Sequence, residues 1–71
     1  MQPSNDNFPV LISLNEACRL TSMSRSMLNR LRAAGRFPAA VELDDFGRRV
    51  AFVRSEVTAW VAAKIAARTA A

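Results

Sequence analysis

Four arginines, an asparagine and a serine crowd one short stretch of this chain: Arg25, Ser26, Asn29, Arg30, Arg32 and Arg36. A guanidinium is a planar fork of donors. It grips a phosphate, or the N7 and O6 edge of guanine, with two hydrogen bonds; an asparagine amide pairs with adenine in the same two-bond way. A second cluster follows at Arg48, Arg49 and Arg54. Such sets recognise; they do not make or break bonds. The residues of catalysis are missing. The sequence has no histidine and a single cysteine, Cys18, which leaves no zinc or iron site and no intrachain disulfide. Ser13, Ser24 and Ser55 read as helix caps, and Asp44 and Asp45 as turn residues that bond their local backbone. There is no glycine-rich phosphate loop. No catalytic residue, metal ligand or cofactor is expected, and the chain does not read as an enzyme.

The arginines need a frame. Ser24 is placed to cap a helix, Gly35 can take the left-handed conformation that ends one, and Pro38 prevents its resumption. At 100° per residue, Met27, Leu28, Leu31 and Ala34 share one side of that helix. Arg25, Ser26, Asn29 and Ala33 share the other, flanked by Arg30 and Arg32. Upstream, Ser13 and Glu16 have the spacing of a capping box and open a brief helix whose Leu14, Ala17, Cys18 and Leu20 face inward. A turn at 21–23 then makes a helix-turn-helix. The run 10–12 is an edge strand or a segment packed on the first helix.

Downstream the period changes to two. Val41, Glu42 and Leu43 alternate, 44–47 are turn residues, and Val50 and Phe52 share a face opposite Arg49. This predicts a two-stranded hairpin, which must pack on the helices to be stable. A last helix follows, with Ser55 as its cap, Glu56 against the positive end of its dipole, and Val57, Trp60, Val61 and Ile65 as its core stripe. Trp60, the largest side chain, is expected to anchor the core. The alanine-rich end is expected to fray.

Seventy-one residues, 51% of them hydrophobic, suffice for one domain with one small core. The net charge is +4, and nine of the ten basic residues are arginine. Clustered arginine on an exposed helix face of a small domain points to double-stranded DNA. No apolar run spans a membrane, and residues 1–7 lack the basic start and apolar core of a signal peptide. A reduced, cytoplasmic, nucleoid-associated setting is expected.

The ordered set 14–18, 21–26, Arg30-Leu31, 35–38, 47–52 and 55–60 resembles the AlpA-type prophage regulatory proteins, relatives of phage excisionases and of the DNA-binding module of MerR-type regulators. The resemblance covers residues 12–66. It implies a winged helix-turn-helix whose second helix enters the major groove and whose wing touches the backbone or minor groove. It also implies activation of integrase genes or direction of recombination toward excision. Carried over by position, Arg25, Ser26, Asn29 and Arg30 read bases and Arg48 and Arg49 lie on the wing. Two positions depart from the family. Position 29 is often aromatic there, and Asp44, Asp45 and Phe46 dilute the positive field of the wing tip.

The expected fold is therefore mainly α: three helices plus a two-stranded wing. A flexible arm is expected at 1–9, the DNA-binding domain at 10–68 and a frayed end at 69–71. The expected function is that of a sequence-specific DNA-binding prophage or mobile-element regulator or excision factor. Recognition falls to Arg25, Ser26, Asn29, Arg30 and Arg32, and wing and backbone contacts to Arg36, Arg48, Arg49 and Arg54. Integrase or RNA polymerase are candidate partners, and copies are expected to associate on repeated sites. The alternative is a small adaptor for a recombinase or polymerase that binds DNA weakly. An antitoxin or host-control fragment with the same fold is a third reading.

Overall fold

The computed structural model describes residues 10–70, with side chains to residue 68. The arm expected at 1–9, and Ala71 of the expected frayed end, lie outside it. The order is β1 (Leu11–Ile12), α1 (Leu14–Thr21), α2 (Arg25–Ala33), β2 (Val41–Glu42), β3 (Val50–Val53) and α3 (Arg54–Ala70). The fold is a winged helix-turn-helix. Its sheet is antiparallel in the order β1-β3-β2, so the run at 10–12 is an edge strand rather than a loose packed segment. Leu11 pairs with Val53 and Ile12 with Phe52; on the other edge Val41 pairs with Ala51 and Glu42 with Val50.

Local chemistry sets the helix limits. Ser13 Oγ accepts the Glu16 N–H at 3.0 Å, and Ser24 Oγ accepts the Met27 N–H at 3.1 Å. Only half of the expected capping box forms. The Glu16 carboxylate turns to Arg19 instead, taking the Nε donor at 3.0 Å and an ion pair from the same guanidinium. Both helices then end in the same way. After α1, Ser22 takes a left-handed φ of 58°, its N–H reaches Arg19 O and the Met23 N–H reaches Cys18 O. After α2, Gly35 has φ 72°, its N–H reaches Arg32 O and the Arg36 N–H reaches Leu31 O. These are two Schellman stops, one on serine and one on glycine.

The hairpin turn is held by Asp44, whose Oδ1 accepts the N–H groups of Phe46 (3.2 Å) and Arg48 (3.1 Å), with Gly47 at φ 71°. The expected turn reading of this aspartate therefore holds. The core joins Ala17, Leu28, Phe37, Phe52 and Val57. Phe52, Leu28 and Val57 are its largest fully buried side chains. Phe37 meets Phe52 edge-on at 5.5 Å and Trp60 at 5.1 Å. Cys18, like Leu14 and Leu20, is partly buried against this cluster.

Several expectations are corrected. Phe52, in the central strand, anchors the core; Trp60 is partly buried at its rim, because its indole N–H reaches out 2.9 Å to the Arg36 carbonyl. Ile65 is 51% exposed, since α3 runs on past the sheet and the other helices have nothing left to cover it. Ser55 lies inside the first turn of α3 rather than capping it, because the helix follows β3 directly at Arg54. Its carbonyl accepts the Thr58 hydroxyl at 3.0 Å. Met27 and Ala34, expected on the inner side of α2, are exposed; Leu28 alone is fully buried there.

Candidate nucleic-acid interface

Position 28 orients α2. With Leu28 sealed in the core, Ser26, Arg30 and Ala33 fall on the far side of α2 and Arg25 and Asn29 on the flank between, all exposed. The first turn of α2 holds no acidic residue. Its leading N–H groups, at Arg25 and Ser26, point out of the helix start together with the positive end of the dipole. That end favours an anion.

The wing faces the same approach. A cleft of about 550 Å³ lies between the start of α2 and the sheet, lined by Arg25 on one side and by Arg48, Arg49, Val50 and Ala51 on the other. Leu11 and Leu43 line it too. Arg25, Arg48 and Arg49 are thus brought together from two elements, and none of the three has an intrachain ion-pair partner among the described residues. The wing tip beyond them presents Phe46, 83% exposed.

The other expected residues are placed differently. Arg32 is only half-buried from solvent, not displayed: its guanidinium lies over the Phe52 ring, 5.4 Å from the centroid, and donates to Asn29 Oδ1 at 3.0 Å. Arg36 is exposed just past the α2 stop, and its carbonyl is held by Trp60. Arg54 is exposed at the head of α3, where its N–H bonds Val10 O at 2.7 Å and its charge helps hold the Glu16 carboxyl down. Neither is among the residues that line the Arg25–wing cleft, and Arg36 lies beyond the opposite end of α2 from Arg25.

Sequence reasoning missed two contacts, the Arg32 bond to Asn29 and the Arg32 guanidinium over Phe52. The first had a signal, because positions 29 and 32 are three apart on one helix and so are neighbours. Among the described residues no group of histidine, cysteine and carboxylate side chains is arranged to hold a metal ion, and no helix is long and apolar enough to cross a membrane.

Known proteins give an independent comparison. Residues 10–65 match the family described as the prophage CP4-57 regulatory protein (AlpA). An uncharacterized protein of Enterobacteria phage P4, ORF88, is 45% identical over 53 residues. That alignment takes in 75% of this chain and 58% of ORF88, so the chain spans a little under three fifths of that relative's length. No solved structure matches the chain. The family match runs from the strand that borders the sheet through most of α3, and on it the chain belongs to the AlpA family of prophage regulatory proteins.

Proposed function

We propose that this chain binds double-stranded DNA in a sequence-specific way and serves as a regulator of prophage or mobile-element genes, or as an excision factor. One observation carries the reading. Around buried Leu28, α2 displays Arg25, Ser26, Asn29 and Arg30 to solvent, and Arg25 shares a cleft with Arg48 and Arg49 of the wing.

In this reading α2 lies in the major groove. Arg25, Asn29 and Arg30 reach base edges, Ser26 lies beside them, and the free N–H groups at the α2 start bind a phosphate. Arg48 and Arg49 take backbone phosphates on the wing side. Arg36, past the end of α2, and Arg54, at the head of α3, add further positive charge. One module of this size reads few base pairs, so copies side by side on repeated sites supply the rest of the specificity. Integrase and RNA polymerase are the partner classes that an excision factor and an activator would need.

The adaptor reading draws on another surface, the distal half of α3 with Ile65 half exposed. The two separate by experiment. Sequencing of duplexes selected from a randomised pool should return a defined motif for the wild-type chain, and Arg48→Ala and Arg49→Ala should weaken selected and random duplexes alike. A pool that stays random, with binding indifferent to all arginines of α2 and the wing, favours the adaptor.

A further inference from the structure

Arg32 is the one arginine of α2 that does not point its charge freely into solvent. It is half-buried, its guanidinium sits 5.4 Å from the centroid of fully buried Phe52, and its Nη1 donates to Asn29 Oδ1 at 3.0 Å. Phe52 is itself fixed edge-on against Phe37. The guanidinium is therefore clamped to the core at one face and to the outer surface of α2 at its edge.

A guanidinium has donors and no acceptor. It can meet only the oxygen end of the Asn29 amide, so chemistry fixes which way that amide is turned. The NH₂ end is left for a ligand. We propose that Arg32 is a positioning residue that holds the Asn29 carbonyl oxygen, so that Asn29 meets DNA through its NH₂ group and selects guanine or thymine, whose major-groove edges offer acceptors and no donor. The inference rests on the DNA-binding reading above and deepens it.

An adenine contact uses both ends of an asparagine amide at once: the oxygen accepts from N6 and the nitrogen donates to N7. With the oxygen turned to Arg32, the reading face of α2 becomes a row of donors: the Arg25 and Arg30 guanidinium groups and Asn29 Nδ2. Donors match the N7 and O6 of guanine or the O4 of thymine; adenine also offers N7, but its N6 amine would find no acceptor in such a row. This replaces the adenine contact that Asn29 alone suggests. It also removes Arg32 from the residues that touch DNA.

The test is a selection from a randomised duplex pool, run with wild type, Arg32→Met, Asn29→Ala and the double variant, with melting curves beside it. Methionine keeps an apolar stem over Phe52 and removes the donors. One base position should prefer guanine or thymine in the wild-type motif and lose about tenfold of that preference in both single variants. The double variant should match Asn29→Ala. Asn29→Asp adds an arm that does not disturb Phe52. It keeps the Arg32 bond but has no donor, and should move the preference at that position toward cytosine, whose N4 donates. A uniform loss of affinity in Arg32→Met, with the salt slope lower by about one and the motif intact, makes Arg32 a phosphate contact and overturns the proposal. An adenine preference at the Asn29 position overturns it as well. Failure of the wild type to bind any duplex refutes the DNA-binding reading itself, a result distinct from both.

Discussion

The two sides of α2 obey different rules. On the inner side Leu28 is fully buried beside Ala17, Phe52 and Val57, and its identity is set by volume. On the outer side Arg25, Ser26 and Arg30 are exposed, and their side chains make no hydrogen bond or ion pair among the described residues. Their identity is set by nothing in the fold. Three residues separate Arg25 from Asn29, and among them a single position, 28, is buried in the core. A surface that costs the fold nothing is free to be specified by a ligand. The difference predicts a clean division between variants that unfold the domain and variants that silence it.

The largest expected effect lies on the inner side. Phe52→Ala should destabilise by about 3–5 kcal/mol, since the ring is fully buried and supports both Phe37 and Arg32. A domain this small has little more stability than that, so its thermal transition should be lost or broad near 37 °C. A cooperative transition near the wild-type midpoint would contradict the placement of the core.

On the outer side, Arg25→Ala and Arg30→Ala should each weaken binding to a selected duplex by about 1–3 kcal/mol. Their melting curves should overlay the wild-type curve. Unfolding by either one would erase the distinction between the two faces.

The two helix stops allow a finer comparison. Ser22 and Gly35 hold the same left-handed position, but serine carries a Cβ there and glycine does not. Ser22→Gly should raise stability by about 0.5–1 kcal/mol. Gly35→Ala should lower it by about 1 kcal/mol, from backbone conformation alone, since a Cβ there meets open space. A destabilised Ser22→Gly, read by urea melting, would mean that the serine side chain contributes something beyond its backbone.

The smallest effect is one of pH. The hydrogen bond from Arg19, with the nearby charges of Arg19 and Arg54, holds the Glu16 carboxyl below its ordinary range. A carboxyl depressed in the folded state favours folding above its unfolded pKa and loses that contribution as pH falls through the folded value. The group is exposed, so the gain is slight. Titration followed by NMR should show the Glu16 midpoint rising in Arg19→Ala; an unmoved midpoint would dismiss the pair.

How much of this was readable in advance follows the range of the forces. The caps at Ser13 and Ser24, the stop at Gly35 and the Asp44 turn depend on neighbours within four residues, and the sequence reveals them. The polar face of α2 follows from helical period. Phe37 is different: it sits in no periodic element and enters the core only because β3 brings Phe52 beneath it. The clamp of Arg32 on Phe52 spans twenty positions and needs the whole fold. Trp60 misled because size suggests an anchor, while the indole N–H needs a partner and finds the Arg36 carbonyl at the rim. Ile65 kept the helical spacing of α3 past the point where the domain ends.

The exposed arginines of α2 and the wing are proposed to grip duplex DNA. Equilibrium titrations of the selected duplex across a series of salt concentrations test it most directly. Phosphate contacts by Arg48, Arg49, a further arginine and the start of α2 predict that log K falls linearly with log salt, with a slope of about −3 or steeper. Removing both wing arginines should bring that slope about two units closer to zero. A slope near zero in the wild-type protein would rule out a phosphate grip by these arginines.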